Sequence, residues 1–209
     1  MMLELKNISK KFKNEQILEN INVKFKKNKI YAIVGRNGSG KSVLLKIICG
    51  MYSPTTGEVL FDGEDYIKKY GVPKNTRASI EKPDFISELS GFENLNLLAR
   101  IQNKITKQEI LESLEKVNLI EEKDKLFSKY SQGMKQKLAF AQVIMELPEI
   151  MIFDEPFNGM DDESTKKLRS ELVNLKKDRI IIIATHYNED IKDIADEVYK
   201  IENKKIWKL

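Results

Sequence analysis

The sequence predicts an α/β protein built on a parallel sheet, and three observations carry that prediction. The apolar run Ile30–Val34 leads into the glycine-rich string GRNGSGKS, Gly35 to Ser42, which opens into a helical pattern from Val43 to Ile48. Two later runs, Ile150–Phe153 and Ile180–Thr185, are as continuously apolar as strands covered on both faces. Each of these runs stops at polar residues: the string itself, Asp154-Glu155, and His186. The carboxyl ends of parallel strands lie along one sheet edge, so these three groups should share one site.

The string has the form G-x-x-x-x-G-K-S in the strand, loop and helix setting of a phosphate-binding loop. Gly35, Gly38 and Gly40 are expected to take positive φ and turn backbone N–H groups inward, at the positive end of a helix. Lys41 would add a point charge for the β/γ-phosphates, and the Ser42 hydroxyl is a hard oxygen suited to Mg²⁺. The competing reading is a glycine-rich turn with no ligand. Asp154 can hold the water shell of that Mg²⁺, and Glu155 can orient or deprotonate a water in line with the γ-phosphate. An Asp-Glu pair is otherwise a solvated turn. His186 is the one histidine of the chain. Alone it would read as a packed or surface residue, whereas at a strand end beside the phosphates it becomes a γ-phosphate contact.

The other elements follow in order. From Leu3 to Phe25, LELKNISKKF and ILENINVKF alternate around the turn-like KNEQ, as half-buried antiparallel strands do. Phe12, among lysines, is either a strand residue packing on its own sheet or a flat surface for a purine ring. Pro54–Gly57 is a turn, and GEVLFDGED returns to the small antiparallel sheet. Ser90-Gly91-Phe92-Glu93 and Thr106-Lys107-Gln108-Glu109 fit the capping box, each opening a helical stretch: Phe92, Leu95 and Ile101, then Ile110, Leu111, Leu114 and Val117. A third helix should run from Gln132 to Leu147, before Pro148, which makes the segment from about 85 to 147 a helical insert between two strands of the central sheet. Ser131 in YSQGM could be an N-cap, and Gly133, costly in a first helical turn, suggests close approach of an anion to the backbone. Leu168, Leu172 and Leu175 stripe a crossover helix, and EVYKI and KKIWKL close the chain as two short strands.

A chain of 209 residues with 41% hydrophobic content can bury one sizeable core, and a single unit over 1–209 is expected. The 36 Lys+Arg and 32 Asp+Glu are interleaved, which reads as a solvated mixed surface and no nucleic-acid tract. The single cysteine, Cys49, excludes an intrachain disulfide, fits a reducing compartment and reads as a small buried apolar residue. No apolar run is long enough to span a bilayer and the first residues lack a signal peptide's apolar core, so a soluble cytoplasmic chain is expected.

The ordered set GRNGSGKS, YSQGM, IMIFDEP, NGMD and ATH resembles the nucleotide-binding subunit of an ATP-binding cassette (ABC) transporter over essentially the whole chain. The resemblance implies a P-loop NTPase with a RecA-like core, an antiparallel β subdomain and an inserted helical subdomain. It implies ATP and Mg²⁺, held by Gly35, Arg36, Asn37, Gly38, Ser39, Gly40, Lys41, Ser42 and Val43, with Phe12 against adenine. It also implies a head-to-tail dimer, homo- or heterodimeric, in which Ser131 and Gly133 of one copy meet the ATP of the other and Asp161 lies in the loop that contacts the partner. A transmembrane permease subunit would hold the complex at the inner face of the membrane. Catalysis would rest on Glu155, His186 and Lys41, and metal binding on Ser42, Asp154 and Glu81.

Glu81 departs from the family pattern, which has a glutamine there. A carboxylate is a harder Mg²⁺ ligand and adds negative charge near the γ-phosphate, although a neutral variant is the plainer reading. The context IEKP followed by ENL is similar to bacterial exporters linked to bacitracin- and lantibiotic-type peptide resistance. YSQGM is also divergent from the family's LSGGQ. The rival readings are a soluble ABC ATPase without a membrane partner and a P-loop kinase. The kinase leaves YSQGM and His186 unexplained.

Overall fold

The computed structural model describes the backbone of residues 1–209 and every side chain except that of Asn188. Strands β1 (Met2–Phe12) and β2 (Glu15–Lys26) form an antiparallel hairpin, followed by β3 (Lys29–Val34), α1 (Lys41–Ile48) and β4 (Thr56–Phe61), which returns antiparallel to β1. Next come α2 (Tyr66–Tyr70), β5 (Thr76–Ser79), α3 (Gly91–Gln102), α4 (Lys107–Lys116), a 3₁₀ turn at Phe127–Lys129 and α5 (Gln132–Ile144). The chain ends with β6 (Ile150–Asp154), α6 (Asp162–Leu175), β7 (Ile180–Thr185), β8 (Glu197–Glu202) and β9 (Lys205–Lys208). One sheet has the order β2-β1-β4 and the other β5-β6-β7-β3-β8-β9, parallel except for β9.

The continuous apolar runs are explained by burial on both sides of the larger sheet. Ile30, Ala32, Val34, Met151, Phe153, Ile181 and Ile183 belong to the core shared with α3 to α6. Their neighbours Tyr31, Ile33, Ile150, Ile152, Ile180 and Ile182 belong to the core under α1 and the small sheet. A β-strand directs successive side chains to opposite faces, so two apolar layers require an unbroken apolar strand. Phe140 of α5 stacks on Phe153 of β6 at 4.8 Å between ring centroids, tying the helical segment to the sheet.

Both capping boxes form. Ser90 Oγ accepts from Glu93 N at 3.2 Å while Glu93 Oε2 accepts from Ser90 N at 2.8 Å, and Thr106 and Glu109 repeat the arrangement. Ser90 is buried, so Ser90→Ala should lower unfolding free energy by about 1 kcal/mol, read as a shift in urea midpoint at unchanged m-value.

Two expectations need correction, and two elements were not foreseen. Ile101 does not share the buried stripe of α3: it is 77% exposed, and Leu95 and Ala99 form the inner face. The third insert helix stops at Ile144 rather than at Leu147, which sits outside it with φ 46°. The strand β5 and the helix α2 have no counterpart in the sequence reading. Thr76-Arg77-Ala78-Ser79 is an edge strand paired only with β6 and therefore needs no apolar run.

Candidate functional site

Parallel pairing brings the three strand ends together: Val34 pairs with Thr185, and Asp154 with Ala184. Beside them lies a cavity of about 650 Å³ whose lining includes Phe12, Asn37, Gly38, Gly40, Lys41, Ser42, Val43, Glu81, Asp154 and Glu155. Gly35, Arg36 and His186 line an adjoining recess instead, across the loop from Asn37, which touches both.

Gly38 and Gly40 have the expected positive φ, 79° and 103°. Gly35 does not. Its glycine is required by crowding, since a Cβ there would stand 2.6 Å from Ser39 Oγ and 2.7 Å from the Ile201 carbonyl oxygen. Ser39 Oγ is buried without a hydrogen-bond partner among the described residues. Among the described residues α1 is also the one α-helix without a side-chain cap; α2 to α6 are capped by Asp65, Ser90, Thr106, Ser131 and Asp161. A first helical turn whose N–H groups lack a capping side chain can accept an anion. Lys41, 5% exposed, donates to the Gly35 carbonyl at 2.8 Å, and its Nζ lies 3.6 Å from Glu155 Oε1.

The buried Asp154 lines the cavity together with Ser42. Burial pushes its carboxyl up from the ordinary value and the neighbouring Glu155 adds to this, against hydrogen bonds from Ser42 and the Glu81 backbone and the charge of Lys41. Glu155 leaves β6 in the left-handed region with φ 49°, its N–H donating to Ala184 O at 2.8 Å. That turn aims its carboxylate at β7: Oε1 lies 2.7 Å from His186 Nδ1 and Oε2 accepts from Thr185 Oγ1 at 3.0 Å. Gln136 of α5 donates to the Glu155 carbonyl at 3.0 Å, a contact that holds the helical segment to the site and that no sequence pattern announced.

Phe12 is 39% exposed and meets Tyr52 edge-on at 5.4 Å, with Lys10 Nζ 4.8 Å from its ring centroid. Lys10 thus lies over the ring of a residue that lines the cavity. Lys46 of α1 lies 5.3 Å from the Tyr52 ring and is ion-paired with Glu81. Glu81 therefore borders the cavity with its carboxylate committed to a lysine.

The ABC transporter family matches residues 18–158. The chain belongs to the ABC transporter family. It is 37% identical over 200 residues to the bacitracin transport ATP-binding protein BcrA of Enterococcus faecalis, covering 94% of this chain and 65% of that one. The lantibiotic transport ATP-binding protein SrtF of Streptococcus pyogenes is 31% identical over 210 residues, 98% of this chain and 89% of that one. In fold the chain is similar to the solved ATP-binding subunit of an ABC transporter, with TM-score 0.89 at 24% identity over 100% of this chain and 90% of that one.

Three residues of the ABC pattern have roles within the chain itself. Ser131 caps α5, accepting from Met134 N at 3.2 Å. A Cβ on Gly133 would stand 3.1 Å from the Gly159 carbonyl oxygen, so a chain neighbour already approaches the backbone that the sequence reading reserved for an anion. Asp161 caps α6, accepting from Ser164 N at 2.7 Å and Ser164 Oγ at 2.8 Å, and these bonds hold its carboxyl below the ordinary range. Neither Ser131 nor Gly133 lines the cavity; Gln132, between them, does.

Proposed function

We propose that the chain is the ATP-binding and ATP-hydrolysing subunit of an ABC exporter that works with a separate transmembrane permease. The observation that supports this best is the single sheet edge carrying the uncapped helix α1, the buried Asp154 and the Glu155–His186 pair. In this reading Lys41 and the loop amides hold the phosphates, Phe12 faces the adenine, and Glu155 takes a proton from the attacking water while His186 contacts the γ-phosphate. The donor set fits Mg²⁺. Among the described residues no cluster of three or more acidic, histidine or cysteine groups could hold a metal alone, whereas Ser42 and Asp154 supply hard oxygens to an ion whose shell is completed by phosphate and water. Bound Mg²⁺ would neutralise charge developing on the phosphate oxygens. Glu81 joins that set only by leaving Lys46.

The unit spans residues 1–209, with the segment from about 85 to 147 as its helical subdomain. Two copies, or this chain and a similar one, close head-to-tail over two ATP molecules, with Ser131 and Gly133 of each facing the other's phosphates. The permease docks in a groove of about 570 Å³ between β5 and α3, lined by Met51, Ile86 and Leu97, which are 61%, 46% and 46% exposed. Lys82 and Pro83 border both this groove and the phosphate cavity, giving nucleotide binding a short route to the partner. Among the described residues no helix is long and apolar enough to cross a membrane; in this reading the permease holds the chain at the inner face. The names of its relatives point to export of peptide antibiotics.

Tagged chain recovered from detergent-solubilised membranes of its host should carry a polytopic membrane protein, and Leu97→Asp should release that protein while ATP binding is retained. Recovery without any membrane protein would overturn the partner, and a Leu97→Asp complex that stays intact would overturn the groove.

A further inference from the structure

We infer that Asp190 is a positioning residue for the Glu155 carboxylate, acting through the hydroxyl of Thr185. Thr185 is 0% exposed, and its Oγ1 lies 3.0 Å from Glu155 Oε2 and 3.0 Å from Asp190 Oδ2 while accepting the Tyr187 N–H at 3.1 Å. A hydroxyl carries one proton and two lone pairs, so it cannot donate to both carboxylates. Every contact is satisfied if one carboxyl keeps its proton and donates to Thr185, which passes its own hydrogen to the other.

The direction follows from the surroundings. Glu155 faces His186 Nδ1 at 2.7 Å and Lys41 Nζ at 3.6 Å and takes the acceptor role. The nearby cation on α6, Arg169, is engaged with Asp193 at 3.1 Å. With Glu155 as acceptor, the Thr185 hydroxyl points to Glu155 Oε2, and Asp190 Oδ2 bonds the same Oγ1 as a donor when it carries a proton. Burial favours the protonated Asp190 carboxyl and the charge of Glu155 adds to this, whereas the hydrogen bond that ionised Asp190 would accept from Thr185 and the charges of Arg169 and His186 act the other way. Oε2 is thereby held from behind, so Glu155 keeps its direction when His186 turns to a phosphate. Loss of that hold costs geometry at the attacking water rather than affinity for nucleotide.

The inference rests on Glu155 as the hydrolytic base, and a paired set of variants separates the two. Turnover and the Kd for ATP are measured for Asp190→Asn, Asp190→Ala, Thr185→Ser and Thr185→Val beside Glu155→Gln. Asn can still donate to Thr185, and Ser keeps the hydroxyl, so both should retain kcat within about threefold. Asp190→Ala and Thr185→Val should each lose about tenfold in kcat at unchanged Kd. With Glu155→Gln inactive, a wild-type kcat in Asp190→Ala, or an Asn variant as impaired as the Ala one, overturns the positioning role. Wild-type turnover in Glu155→Gln overturns the base assignment instead. Should Asp190→Ala fail to fold, the near-isosteric Thr185→Val against Thr185→Ser decides: equal kcat in the two overturns the inference.

Discussion

Glu155→Gln should lower ATP turnover by about 10²-fold or more while leaving ATP affinity unchanged. The substitution keeps the shape of the side chain and an oxygen that can accept from Thr185, so the left-handed turn at the end of β6 and its bond to Ala184 have no reason to shift. What disappears is basicity at the atom beside His186. With binding intact and hydrolysis slowed, the ATP-bound dimer should outlast that of the wild type. Single-turnover hydrolysis and size-exclusion chromatography in ATP check both halves. Wild-type hydrolysis in this variant would show that another group activates the water.

The second large effect is expected at Lys41. Lys41→Met should weaken ATP binding by about 10²-fold or more in titration calorimetry, because the loop loses its one buried cation. Met preserves the apolar stem but leaves the Gly35 carbonyl without its 2.8 Å donor. Lys41→Arg should not restore binding. The ammonium sits between the Gly35 carbonyl and Glu155 at 2.8 and 3.6 Å, a space that suits a compact charge and crowds a planar guanidinium. Unchanged affinity in Lys41→Met would remove the loop from the nucleotide site.

Much of this architecture was legible because its signals are local or periodic. The strand ends at Val34, Phe153 and Thr185 announced themselves as apolar runs broken by polar residues, and the two capping boxes as fixed spacings. What escaped notice depends on neighbours far away in sequence. Gly35 looked like a positive-φ glycine, yet what excludes a side chain there is the carbonyl of Ile201. The carbonyl oxygen that approaches Gly133 within the chain belongs to Gly159, which no spacing announced. Gln136 and Lys46 carry no motif at all; each acquires its partner only when α5 or α1 is placed against another element. Thr76–Ser79 formed a strand without the apolar signature because an edge position asks for none.

The order β6-β7-β3 sets a timetable for the growing chain. Lys29 of β3 finds its partner Ile180 about 150 residues later, and β6 likewise borders β7 rather than β3. Until β7 leaves the ribosome, the strand feeding the glycine loop has no neighbour on that side, and non-local pairings of this length form slowly. Nascent chains released before β7 should therefore lack the nucleotide pocket, because the strand that feeds the glycine loop has nothing to pair with on that edge.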